Sequence, residues 1–123
     1  MITLKEALAV HAIALKKFGG VEGIRDIGML ESALQRPFLT FDGRELYPSI
    51  LEKSAALIES IVKNHPFSDG NKRTGYILMR LMLLKMDVDV WASEDEKYKF
   101  VVDIASGQLD YNGIKLWLEK KVK

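Results

Sequence analysis

The chain reads as an all-α protein of about six helices in a single domain over residues 1–123, with one small hairpin-like flap. Three observations carry this. Apolar residues recur at helical spacing through most of the sequence. Thr3 with Glu6, and Ser93 with Glu96, have the spacing of capping boxes that start helices. No repeat, low-complexity run or Pro/Gly/Ser linker divides the 123 residues, a length that supports one core rather than two.

Taken in order, a first helix is predicted near residues 4–18, with Leu4, Leu8, His11 and Leu15 on one face and Gly19-Gly20 as its stop. After the loop GGVEGIRDIG, a short helix around MLESALQR ends at Pro37, because the residue before a proline is biased away from helical dihedrals. The stretch PFLTFDGRELYP reads as an irregular or hairpin-like flap. Pro48 suits the first turn of a third helix, apolar around much of its circumference and therefore central, that ends near Asn64 ahead of Pro66. A fourth, also buried, runs through NKRTGYILMRLMLLKM. DVDVWAS is an extended link, a fifth helix runs from Ser93 toward Gly107, and a sixth carries Ile114, Trp117 and Leu118 into the cationic end KKVK.

Composition narrows the function classes. With 18 Lys+Arg against 17 Asp+Glu, the formal net charge of +1 supplies no global field for nucleic acid or an anionic membrane, so any anion site must be local. The absence of cysteine removes disulfides, thiolate metal sites and cysteine nucleophiles. Neither a signal-peptide pattern nor a run of about 18 apolar residues occurs, so a soluble, cytoplasmic protein with no membrane or nucleic-acid partner is expected.

The chemistry is concentrated in HPFSDGNKRT, His65 to Thr74, between the two central helices. A loop entering a helix N-terminus presents unpaired backbone N–H groups where the helix dipole attracts anions. Gly70 allows close backbone approach to a phosphate, Asn71 adds an amide, and Lys72 and Arg73 add charge. Asp69 would repel a bare phosphate but suits Mg²⁺, which bridges phosphate oxygens through one or two protein carboxylates. His65 can take a proton from a hydroxyl near neutral pH, and Phe67 is an anchor turned inward. Each residue alone has a plainer reading. His65 could bond the free carbonyls of a helix end, Asp69 could be an N-cap, and Lys72 and Arg73 could be a solvated first turn. Cations at a helix N-terminus are mildly unfavourable, however, and the joint occurrence of so many specified residues favours a site.

HPFSDGNKRT closely resembles the signature of the Fic/Doc superfamily, in particular its Doc, or death-on-curing, toxin branch, which carries lysine after the asparagine where other members have glycine. GVEGIRDIGMLESALQRP resembles the amino-terminal segment of that branch, and length and helix order match over nearly the whole chain. The resemblance implies an all-helical Fic fold and a flap, within residues 38–47, that positions the target segment. It implies His65 as general base, Asp69 on the metal, Gly70, Asn71, Lys72 and Arg73 around the phosphates, and Mg²⁺ and ATP as cofactor and co-substrate. Many Fic enzymes transfer AMP. Here Lys72 replaces the second glycine, and Tyr76 stands where AMP-transferring members have a second arginine. Doc-type toxins with this lysine phosphorylate a threonine of elongation factor Tu and are restrained by a separate antitoxin, so protein kinase activity is the expectation. AMP transfer, and nucleotide binding without turnover, are the alternatives. No inhibitory (S/T)xxxE(G/N) motif is present, which leaves restraint to a partner.

Overall fold

The computed structural model describes residues 1–123 and consists of six α-helices, a short 3-10 turn and one two-stranded hairpin joined by loops. The elements are α1 (Leu4–Phe18), α2 (Ile27–Gln35), a 3-10 turn (Arg36–Phe38), β1 (Thr40–Phe41), β2 (Arg44–Glu45), α3 (Ile50–Asn64), α4 (Asn71–Leu84), α5 (Glu94–Ala105) and α6 (Tyr111–Lys121). None of these helices is long and apolar enough to cross a membrane.

The antiparallel pair α3 and α4 forms the centre, and each helix contributes to two apolar clusters. On one side Ile2, Ala7, Leu30 and Leu34 close over Leu57, Ile61, Phe67 and Leu78. On the other, Phe100, Ile104, Ile114 and Leu118 close over Ile58, Val62, Met79 and Leu83. Burial on both flanks explains why α3 reads as apolar around most of its circumference. Gly75 lets the two central helices approach: a Cβ there would lie 3.1 Å from Val62 Cγ2 and 3.2 Å from Ile61 Cγ2.

Two sequence expectations need correction. Pro48 does not open α3: Ser49 is its N-cap, and Ser49 with Glu52 forms a capping box. The proline instead fixes the chain's entry ahead of the cap. In α1 the core-facing residues are Ala7, His11 and Ala14, whereas Leu4 and Leu8 stay 37% and 36% exposed. Small side chains at the contact let α1 lie close to α4, which pushes the larger leucines to the rim. As expected, Lys120 and Lys121 lie in the last turn of α6. Val122 bridges Val90, Trp91 N–H donates to Lys121 O at 2.8 Å, and Lys123 N–H donates to Asp89 O at 3.1 Å, so the C-terminus pairs with the extended link.

The flap is a two-residue hairpin whose turn, Asp42-Gly43, has φ of 53° and 77°, the left-handed pair that an Asp-Gly turn is suited to adopt. Its base is fastened to α3 by Arg36, which donates to Tyr47 Oη at 3.0 Å and Ser60 Oγ at 3.0 Å and pairs with Glu59 at 2.9 Å.

Candidate active site

The segment joining α3 to α4 turns twice through left-handed backbone. His65, at the C-terminus of α3, has φ 50° and ψ 58°, and Gly70, at the N-terminus of α4, has φ 76°. Between them Phe67 is driven inward to 1% exposure and stacks on His11 of α1, with centroids 3.8 Å apart and planes 9° from parallel. Burying a phenylalanine contributes roughly 1.5–3 kcal/mol, so this ring pins the loop to the core. Asn71 closes the loop on itself. Its Oδ1 accepts from Phe67 N–H and its Nδ2 donates to Phe67 O, both at 3.0 Å. His11 Nε2–H donates to Asp69 O at 2.9 Å, a bond that requires the proton on that nitrogen. These inward contacts leave His65, Asp69, Lys72 and Arg73 on the exposed side.

A second wall comes from residues 20–26. Ile24 bridges Phe67, Ser68 N–H donates to Gly23 O at 3.0 Å, and the N–H groups of Arg25 and Asp26 both donate to Pro66 O, at 2.8 and 3.0 Å. Val21 N–H donates to Asp69 Oδ2 at 3.1 Å, and Gly20 is required below it, since a Cβ there would lie 2.9 Å from the same oxygen. The Arg25 side chain reaches the end of α3, donating from Nε to His65 O at 2.6 Å and from Nη2 to Asn64 O.

These contacts bear on the plainer readings of the motif. The free carbonyls at the end of α3 are taken by Arg25, not by the His65 ring. Asp69 is not the N-cap of α4; Gly70 is, and no side chain caps that helix. The other five helices are capped by Thr3, Asp26, Ser49, Ser93 and Asp110. The N–H groups of α4's first turn thus lack a side-chain cap beside the exposed Lys72 and Arg73, an arrangement that attracts anions. Arg73 lies over the Phe18 ring at 4.1 Å, which steadies the guanidinium.

Backbone donation from Val21, then from Gly70, holds the Asp69 carboxyl below its ordinary range. It is therefore ionised near neutral pH. No group of three or more His, Cys, Asp or Glu converges here, which excludes an all-protein cage. A single exposed carboxylate fits Mg²⁺, which keeps most of its water and shares substrate phosphates. Tyr76 lies away from this chemistry. Its ring meets Phe100 edge-on at 6.4 Å, its hydroxyl is buried without a partner, and burial pushes its pKa up to about 12.

The residues singled out from the sequence therefore occupy one loop and the first turn of one helix, but in two roles. His65, Asp69, Gly70, Lys72 and Arg73 form the accessible surface. Phe67 and Asn71 build the loop, and the amide of Asn71, expected to meet phosphate, is bonded at both its atoms to Phe67. Sequence reading missed His11 and Arg25. In the sequence His11 is one more position on an apolar face, although a histidine on such a face is itself a signal of a buried partner.

The chain is similar to known proteins over most of its length. The family model described as Fic/DOC family matches residues 1–83. A protein named Toxin Doc from Mycolicibacterium smegmatis is 40% identical over 97 residues, covering 74% of this chain and 72% of its own. A protein named Protein kinase doc from Escherichia phage P1 is 27% identical over 113 residues, covering 92% and 88%.

Proposed function

The chain belongs to the Fic/DOC family, and from that premise we propose that it is a death-on-curing-type toxin that moves the γ-phosphoryl group of ATP to a hydroxyl of a target protein. The observation that carries this reading is the uncapped N-terminus of α4, with two cations in its first turn and an exposed histidine at the other end of the same loop. An anion cradle beside a proton acceptor is what phosphoryl transfer to a hydroxyl requires.

In this mechanism His65 accepts the proton of the target hydroxyl. The hydroxyl oxygen bonds to the γ-phosphorus as the bond to the β,γ-bridging oxygen breaks, and ADP leaves. The first-turn N–H groups of α4, with Lys72 and Arg73, offset the charge on the phosphoryl oxygens. Mg²⁺ held by Asp69 and the nucleotide would neutralise further phosphate charge. His11, Phe67 and Asn71 keep the loop from relaxing as charge moves across it.

Two features favour phosphoryl transfer over AMP transfer. Lys72 fills the space that glycine leaves for an α-phosphate, and Tyr76, packed against Phe100, supplies no second cation. The relative named as a protein kinase points the same way. By resemblance the target is a threonine of elongation factor Tu, and the restraint is a separate antitoxin whose amphipathic helix covers exposed apolar side chains such as Leu4 and Leu8 of α1 and Leu39, Phe41 and Leu46 of the flap.

The test is incubation with elongation factor Tu and ATP labelled at either the α- or the γ-phosphate. Transfer of the γ-label, abolished in His65→Ala with ATP affinity unchanged, is expected. Transfer of the α-label would make the chain an AMP transferase, and tight ATP binding with neither label transferred would make it a non-catalytic regulatory module.

A further inference from the structure

We propose that Arg25 is a positioning residue for His65, a role that rests on His65 being the base. The last turn of a helix leaves carbonyls without intrahelical partners, and the usual remedy is a left-handed glycine that folds the following N–H groups back onto them. Here the left-handed position is occupied by His65, with φ 50°, a conformation uncommon for a residue with a Cβ. Such a conformation persists only where its surroundings over-determine it.

Arg25 supplies that constraint. It donates from Nε to His65 O at 2.6 Å and from Nη2 to Asn64 O, so one planar guanidinium grips two successive carbonyls across the turn. The arginine is itself anchored. Its own N–H donates to Pro66 O at 2.8 Å, and its neighbours Ile24 and Asp26 bind the same loop. A lysine could not replace it, because an ammonium has no fixed fork to match two acceptors.

The phosphate side of the loop is held by other groups: Asn71 on Phe67, His11 on the Asp69 carbonyl and Val21 on the Asp69 carboxylate. Loss of Arg25 should therefore release the imidazole's backbone while leaving the nucleotide cradle formed. This predicts a separation that a merely structural role would not produce: kcat falls and the KM for ATP does not change.

The experiment compares the full chain as wild type, Arg25→Ala and Arg25→Lys. The His65 three-bond HN–Hα coupling and Cα shift, read by NMR, report its φ; ATP titration and γ-label transfer to elongation factor Tu report function. In Arg25→Ala the left-handed signature should be lost, kcat should fall about 10²-fold, as misplacement of a reacting group by about 1 Å can cause, and ATP affinity should be retained. Added methylguanidinium should recover part of both the signature and kcat, and Arg25→Lys should recover neither. An unchanged His65 coupling in Arg25→Ala, no recovery with methylguanidinium, or a loss of ATP affinity matching the loss of kcat would each overturn the proposal. A wild type that transfers no label would instead overturn the reading of His65 as base. The coupling measurement is independent of activity, so the two failures are distinguishable.

Discussion

At the scale of single residues, Asp69 shows how much of a site can depend on what stands opposite it. Its carboxylate is exposed, yet its direction is set by Val21 N–H and by the missing side chain of Gly20. Gly20→Ala would meet Asp69 Oδ2 at 2.9 Å and would also strain a backbone at φ 130°. Gly19→Ala is the control, since its φ of 80° brings the strain while nothing lies within 4 Å. Calorimetric titration with ATP and Mg²⁺ should show Gly20→Ala binding roughly tenfold more weakly, about 1.4 kcal/mol, with Gly19→Ala near wild type. Equal affinities in the two variants would mean that the carboxylate's direction does not matter. His65, Asp69, Lys72 and Arg73 were readable from sequence because they are consecutive or nearly so. Arg25 and His11 were not, because they meet the loop from 40 and 58 residues away, a juxtaposition that no local pattern encodes.

At the scale of elements, α4 both carries the uncapped first turn of the candidate site and forms half of the central pair. The first turn lacks a side-chain cap, and packing on α3 offsets that loss. Gly75 is where the two demands meet. Alanine would raise helix propensity by about 1 kcal/mol, but its methyl would press on Val62 and Ile61, both fully buried and stiff at χ1. Overpacking of this kind costs about 1–3 kcal/mol. Gly75→Ala should therefore lower the denaturation midpoint, by roughly 1 kcal/mol in net stability. A rise would mean that α3 and α4 can separate without penalty. Helix starts were legible wherever a capping box was the dominant signal, as at Thr3 and Ser93. At Ser49 an adjacent proline suggested a different first turn, although Glu52 stood in place to report the box. The inward face of α1, legible at His11, differs at its other positions because hydrophobicity favours leucine while close packing selects Ala7 and Ala14.

At the scale of the whole molecule, carboxylates tie helix ends together. Glu6, bonded by the Thr3 backbone and by Lys85, is lowered to about 2; Asp89, paired with Arg80, and Glu96, paired with Lys121, are likewise lowered to about 2. A carboxyl whose folded pKa lies below its unfolded one stabilises the fold above the unfolded value and loses that contribution as pH falls through the folded one. Thermal midpoints should thus be level above about pH 5 and decline from the ordinary carboxylate range near 4 down to about 2, less steeply at high salt because these groups are at least partly exposed. A midpoint unchanged between pH 5 and 2 would contradict the pairing. Apolar clusters hold the distant segments of the bundle together, whereas residues 20–26 close on the loop bearing His65 mainly through hydrogen bonds. Closing so wide a circuit costs chain entropy that local helix formation does not, and few apolar contacts reinforce it locally. The amides of Arg25, Asp26 and Ser68 should then exchange with solvent together and earlier than those of α3 and α4. A proteolytic nick near Glu22 should release the His65 loop while leaving the bundle folded, which limited proteolysis followed by circular dichroism checks.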